Sequence, residues 1–195
     1  EAHNGGIAGS NDGKIYSCYN TGIVNYGGVV GGIVGYNKGD IHSCYNGGTA
    51  KNGDYVGGIV GINNGKIYSC YNTGDVMDRG NTTIGGIVGE LFEEGSNTNC
   101  FYLKKDDLKG VGAGLSDGTT DKTEAQFHSG EVAWELKQKP APEGLFLGDR
   151  SWVLMVTCSP CWVARQCTKS PSSTPLPQIN PQPSPSLNMG IPINW

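Results

Sequence analysis

The chain has 195 residues, room for one domain or two small ones, with 32 glycines and a net charge of −4. That mild acidity speaks against nucleic-acid binding, which needs a basic face, and no run of 18 apolar residues offers a membrane span. The glycines lack the every-third spacing of collagen.

From the N-terminus, residues 5–22 read GGIAGSNDGKIYSCYNTG, and the pattern returns as GGIVGYNKGDIHSCYNGG (31–48), GGIVGINNGKIYSCYNTG (57–74) and GGIVGELFEEGSNTNCFY (85–102). The Gly-Gly-Ile step falls at Ile7, Ile33, Ile59 and Ile87, at intervals of 26, 26 and 28, and a cysteine precedes an aromatic at Cys18, Cys44, Cys70 and Cys100. Self-similarity at such a period marks stacked repeats. Glu1 already lies inside a repeat, so the chain reads as a fragment of a polypeptide with further domains.

Each unit holds three short β-prone runs: GGIVG, the KIYSCY type, and the region of Val24, Ala50 or Val76. Asn11-Asp12-Gly13, Asn37-Lys38-Gly39 and Asn63-Asn64-Gly65 separate them, turns suited to positive φ. No run has the length or period of a helix. Three strands and three turns in 26 residues predict one coil of a parallel β-solenoid, with equivalent residues stacked about 4.8 Å apart. Ile7, Ile33, Ile59 and Ile87 form one predicted apolar ladder, and Ile15, Ile41 and Ile67 another. One coil cannot bury its own face, whereas several stacked coils can. A β-propeller is the competing architecture, but a blade needs about 40 residues. Strict alternation from an inward Ile15 places Cys18 outside and Tyr19 inside; the chemistry asks for the reverse, so a bend is expected between Ile15 and Cys18.

The pattern G-G-[IV]-V-G-x-N-x-G-x-I-x-x-C-Y-N-x-G-x-V resembles the GLUG-motif repeat, over about residues 3–107. The fourth copy departs, with Asn97 where Ile15, Ile41 and Ile67 stand and Glu93-Glu94 entering the turn, as suits a terminal coil. The resemblance implies a secreted or cell-surface bacterial protein, adhesin-like, or a non-catalytic part of an immunoglobulin A peptidase.

Residues 108–149 read as a connector and helical cap. TEAQFHSGEVAWELKQ (123–138) is similar to a helical stretch that follows such repeats. Asp121 and Glu124 have capping spacing, Ser129 suits the start of a second helix, and Val132 and Leu136 share a face. Such a cap is expected to cover the open end of the stack.

Residues 150–195 form the third segment, predicted irregular: all ten prolines lie from Pro140 onward, and no acidic residue follows Asp149. CSPCW (158–162) with Cys167 lacks the βαβ setting of a redox motif and the fourth ligand of a zinc site. A shift of one base across Trp152-Val153, Met155-Val156 and Trp162-Val163 allows V-L-G-S-D-G-Y-L-L-P-V-L-G-G-E-A-V-Y-K, similar to the closing segment that follows SGEVAW in GLUG proteins. The tail therefore reads as an out-of-frame product.

No catalytic constellation is visible. The four repeat cysteines, 26 or more residues apart, lack metal-ligand spacing, and parallel side-chain vectors would strain a disulfide between rungs; small buried core thiols are the favoured reading. Asp12, Asp40, Asp54 and Asp75 do not recur at one repeat position, as a calcium repeat requires. Only His3, His42 and His128 exist, and no H-E-x-x-H. Tyr19, Tyr45, Tyr71 and Phe101 form an aromatic ladder, the one candidate ligand-binding surface, suited to a glycan or host protein; mutual stacking that only steadies the coil is the competing reading. The sequence thus predicts an all-β, non-catalytic structural and binding module without cofactor or metal, a spacer or display stalk. The alternative is the repeat region of a surface peptidase or polysaccharide-active enzyme.

Overall fold

Runs of two to four residues bounded by glycine or asparagine are too short for a helix but long enough to pair with an identical run one repeat away. The computed structural model describes residues 2–138 except 78, 79, 81, 116 and 117. The expected tail, with its CSPCW motif and reading-frame signature, lies outside the described residues, as do residues 139–149 of the connector.

The chain winds as a parallel β-solenoid of about four coils. Each full coil contains five short strands rather than the three expected. The first coil has β1 (His3–Gly5), β2 (Ala8–Asn11), β3 (Lys14–Tyr16), β4 (Tyr19–Asn20) and β5 (Ile23–Asn25). The second has β6 (Val29–Gly31), β7 (Val34–Asn37), β8 (Asp40–His42), β9 (Tyr45–Asn46) and β10 (Thr49–Lys51). The third has β11 (Tyr55–Gly57), β12 (Val60–Asn63), β13 (Lys66–Tyr68), β14 (Tyr71–Asn72) and β15 (Val76–Met77). The fourth has β16 (Thr83–Gly85), β17 (Val88–Leu91), β18 (Ser96–Thr98) and β19 (Cys100–Leu103). Each expected run breaks in two: GGIVG at its glycine corner and KIYSCY at its serine.

Five parallel sheets run the length of the stack, ordered β1-β6-β11-β16, β2-β7-β12-β17, β3-β8-β13-β18, β4-β9-β14-β19 and β5-β10-β15. Register is 26 residues through the first three coils, as in Ile15↔Ile41 and Ile41↔Ile67. It lengthens to 28 at Tyr55↔Thr83 and to 30 at Tyr71↔Phe101, where the fourth coil carries its insertions. The stack continues past residue 107: β20 (Val111–Ala113) pairs with β17, and β21 (Thr119–Lys122) pairs with β19. Four coils at the inter-strand spacing make a rod about 19 Å long.

The predicted ladders fill the core. Ile33, Ile59 and Ile87 are fully buried, as are Ile41 and Ile67, with Cys44, Cys70 and Cys100 beside them. Each such isoleucine contributes about 1.5–3 kcal/mol. The corner glycines are needed for close approach: a Cβ on Gly57 would stand 1.8 Å from the Val60 carbonyl oxygen. The Asn-x-Gly turns do not use positive φ as expected. Their glycines press on the neighbouring rung instead, so a Cβ on Gly39 would lie 1.9 Å from the Gly13 oxygen.

After β21 come α1 (Glu124–His128) and α2 (Glu131–Gln138). Thr123, not Asp121, is the N-cap: its side chain accepts from the Gln126 backbone N–H, and the Gln126 side chain accepts from the Thr123 N–H. Asp121 is held in β21. Ser129 ends α1, and its hydroxyl accepts from the Glu131 N–H at the start of α2. Among the described residues no helix is long and apolar enough to cross a membrane.

Candidate functional site: the outer aromatic column

The expected bend is a left-handed residue, Ser17, Ser43, Ser69 or Asn99, with φ of 50°, 53°, 49° and 54°. One such residue breaks the two-residue alternation, so the preceding isoleucine and the following cysteine both point inward. The next aromatic then points out. Asparagine visits this region more readily than most residues, and Asn99 Nδ2 donates to Ser69 Oγ one coil away at 3.2 Å.

The four aromatics therefore share one outer column but not one environment. Tyr19 is 58% exposed and Tyr45 half-buried, whereas Tyr71 and Phe101 keep 4% and 3% of their surface. Tyr45 and Tyr71 stack, ring centroids 4.5 Å apart at 20°. Tyr71 meets Phe127 of α1 at 6.0 Å, and Val132 and Leu136 of α2 join the same cluster. The helical cap thus lies against the side of the rod rather than over its open end, where it was expected. Burial raises the Tyr71 phenol well above its ordinary range, with Tyr45 adding to the effect.

An ion cluster that the sequence did not announce pins the cap. Lys122, almost wholly buried at the end of β21, places Nζ 2.8 Å from Glu131 Oε1, 2.5 Å from Glu135 Oε1 and 5.6 Å from the centre of the Phe101 ring. Desolvation works against its charge, but the two carboxylates outweigh it and raise its pKa; the Lys122 hydrogen bond in turn lowers that of Glu131. Glu131 and Glu135, at i and i+4 on α2, were the available signal.

Two buried amide ladders were also missed. Asn11, Asn37 and Asn63 donate from Nδ2 to the Oδ1 one coil ahead at 2.8 Å, 2.8 Å and, for Asn63 to Asn97, 3.4 Å. Asn20 and Asn46 do the same to Asn46 and Asn72, at 3.0 Å and 2.9 Å. The signal was there in the exact 26-residue recurrence of asparagine at both positions. Read as turn formers, they hide their second role.

The other candidates are dispersed. Cys18, Cys44, Cys70 and Cys100 are free thiols, the last three buried. Desolvation pushes Cys70 up, and Cys100 up to about 12, against the chemistry of a reactive thiolate. His3 stacks on Tyr36, His42 lies between Tyr16 and Tyr68, and His128 ends α1. Asp40 stands in register between Lys14 and Lys66, and Asp75 pairs with Lys105. Asp12 and Asp54 are exposed. Among the described residues no group of three His, Cys, Asp or Glu side chains is placed to hold a metal ion.

Compared with known proteins, residues 52–77, from the turn before β11 to the end of β15, match the family model of the GLUG motif. No curated protein and no solved structure matches the chain.

Proposed function

From a third coil that is a GLUG motif, stacked in register within a β-solenoid, we propose that this chain is a non-catalytic spacer or display module of a secreted or cell-surface bacterial protein. One observation carries the reading. The residues that recur from coil to coil are nearly all engaged in holding coils together: isoleucines and cysteines in the core, asparagines in the ladders, glycines at contacts a Cβ would block. A catalytic repeat would recur in titratable or nucleophilic groups aimed outward at a substrate, and here the one outward row that recurs in every coil is the aromatic column. In the row Ser10, Tyr36, Ile62 and Glu90, of which Ile62 is buried, no chemistry repeats.

Adhesion to a host protein or glycan falls to the uncovered part of the aromatic column. Tyr19 and Tyr45 are the residues for that contact, since Phe127 and α2 already cover Tyr71 and Phe101. Binding of the intact chain to arrayed glycans and matrix proteins, repeated with Tyr19→Ala and Tyr45→Ala, tests this. The variants should lose the signal without losing the thermal transition. Turnover of any polysaccharide or peptide by the purified chain would refute the non-catalytic reading, and cell fractionation of the source bacterium tests the location.

A further inference from the structure

The four repeat cysteines form one column through the core. Tyr45 N–H donates to the Cys18 carbonyl at 3.0 Å, Tyr71 N–H to that of Cys44 at 3.1 Å, and Phe101 N–H to that of Cys70 at 3.0 Å, so each cysteine sits one rung above the last. The sulfurs share a pose. Sγ of Cys44, Cys70 and Cys100 lies 3.8, 4.0 and 3.8 Å from the carbonyl oxygen of Ile15, Ile41 and Ile67, one coil back. At the middle of the column the Cys44 N–H donates to Cys70 Sγ at 3.4 Å, and the Cys44 thiol hydrogen-bonds to the thiols of both neighbours, Cys18 and Cys70.

Packing alone asks for a small apolar residue here, not for sulfur. The inward column of the fifth sheet shows what packing alone allows: Val24, Ala50 and Val76 exchange freely from coil to coil. The cysteine column does not exchange. In the fourth coil the isoleucine row turns to Asn97, the asparagine row to Leu91 and the tyrosine column to Phe101, yet Cys100 is kept.

The spacing of the coils suits one kind of bond. A disulfide would have to draw two sulfurs to about 2.05 Å. A metal–thiolate bond is about 2.3 Å long, so two in line span about 4.6 Å, close to the rung spacing of about 4.7–4.9 Å. An ion held linearly by two sulfurs therefore bridges adjacent rungs with little movement. Zinc asks for four ligands, and among the described residues no group of three His, Cys, Asp or Glu side chains is placed to hold an ion. Copper(I) is soft, selects thiolates and accepts two ligands in line.

We propose that the cysteine column binds copper(I), held linearly between the sulfurs of adjacent coils, with Cys44 and Cys70 as the central pair. Each ion displaces two S–H protons to solvent and forms two Cu–S bonds, and no electron is transferred. The pair then carries one negative charge, toward which the Cys44 N–H already points. Burial raises the Cys70 and Cys100 thiols, so uptake strengthens with pH. This activity goes beyond the display role and depends on neither the aromatic column nor the first coil.

The test uses the full chain with Cys158, Cys161 and Cys167 replaced by serine, so that the column alone supplies thiols. Copper(I) is added without oxygen, in competition with bicinchoninate. The chain should retain at least one ion and its thermal midpoint should rise, because an ion bound by the folded state stabilises it. Affinity should increase about tenfold to a hundredfold per pH unit near neutrality, as one or two protons leave with each ion bound. Two double variants then carry equal numbers of thiols. Cys18→Ala with Cys100→Ala leaves Cys44 and Cys70 on adjacent coils and should keep one ion. Cys44→Ala with Cys100→Ala leaves Cys18 and Cys70 two coils apart and should bind at least about a hundredfold more weakly, having lost the chelating second sulfur. Equal affinity of the two variants, or a midpoint lowered by copper(I), would overturn the proposal. Should the second variant fail to fold, X-ray absorption on the first decides: two sulfur neighbours support the linear site, and three or more overturn it.

Discussion

Replacing Asn46 by alanine tests how much of the rod's stability resides in its amide ladders. Asn46 is fully buried and makes four hydrogen bonds: Nδ2 donates to Gly48 O at 3.1 Å and Asn72 Oδ1 at 2.9 Å, while Oδ1 accepts from Gly48 N at 3.2 Å and Asn20 Nδ2 at 3.0 Å. Truncation removes all four. Asn72 Oδ1 and Asn20 Nδ2 keep their partners within their own turns, Gly74 N and Gly22 O, but the Gly48 N–H is left buried without an acceptor. At about 1 kcal/mol for each of the other three bonds and about 1–3 kcal/mol for the orphaned donor, the cost is about 4–6 kcal/mol. Asn20→Ala is the internal comparison. It loses three hydrogen bonds at a partly exposed rung that water reaches, so it should cost about 1 kcal/mol. Urea unfolding of the full chain by circular dichroism measures both. If Asn46→Ala costs within about 0.5 kcal/mol of Asn20→Ala, the ladder is a consequence of the stack and not a cause of it.

Tyr26 sits at φ 58° in the turn where the next coil has Asn52 at φ 62°; Tyr26→Asn should therefore raise stability by about 0.5–1 kcal/mol, and a lower thermal midpoint would refute the strain argument. Cys70→Ala should cost about 1–2 kcal/mol by opening a small cavity. Residue-resolved alkylation of the native protein should modify Cys18 well before Cys44, Cys70 or Cys100, and rapid labelling of the buried three would contradict the core assignment. Burial lowers the pKa of His42, which lies between Tyr16 and Tyr68 with Nδ1 at Ser43 Oγ. The unfolded chain then binds the proton more readily, so this stabilisation is fully present above the ordinary histidine pKa of about 6.5 and is lost as pH falls from there through the lower pKa of the folded state. Stability measured from pH 7.5 to 5 should fall less steeply in His42→Phe, and parallel profiles would show that the imidazole is not responsible.

The solenoid was legible because burial and recurrence coincide: Ile33, Ile59 and Ile87 are both the repeated residues and the core. The strand count was not. Strands of two or three residues leave no periodicity to read, and the break at Ser43 needs a left-handed serine that residue preference does not announce. The cap was legible as helix but not in position. Val132 and Leu136 declare an apolar face, while what that face covers depends on Tyr71 and Phe101, which the bend turns outward more than 20 residues upstream. Asparagine was read for its turn chemistry alone, so the aromatic column drew attention that the amide ladders equally warranted.

The fourth coil exchanges two chemistries between neighbouring strands. Leu91 stands in register with Asn63, and Asn97 with Ile67. Asn97 still receives the Asn63 amide, but it does so from the isoleucine row, while Leu91 packs into the core from the asparagine row. A repeat copied after this coil would place its asparagine over a leucine and its isoleucine over an amide. Repeats copied between the second and third coils would meet matching neighbours on both sides. Duplication in the gene can therefore lengthen such a rod from within but not from this end, and the exchange acts as a stop sign for the array's evolutionary growth.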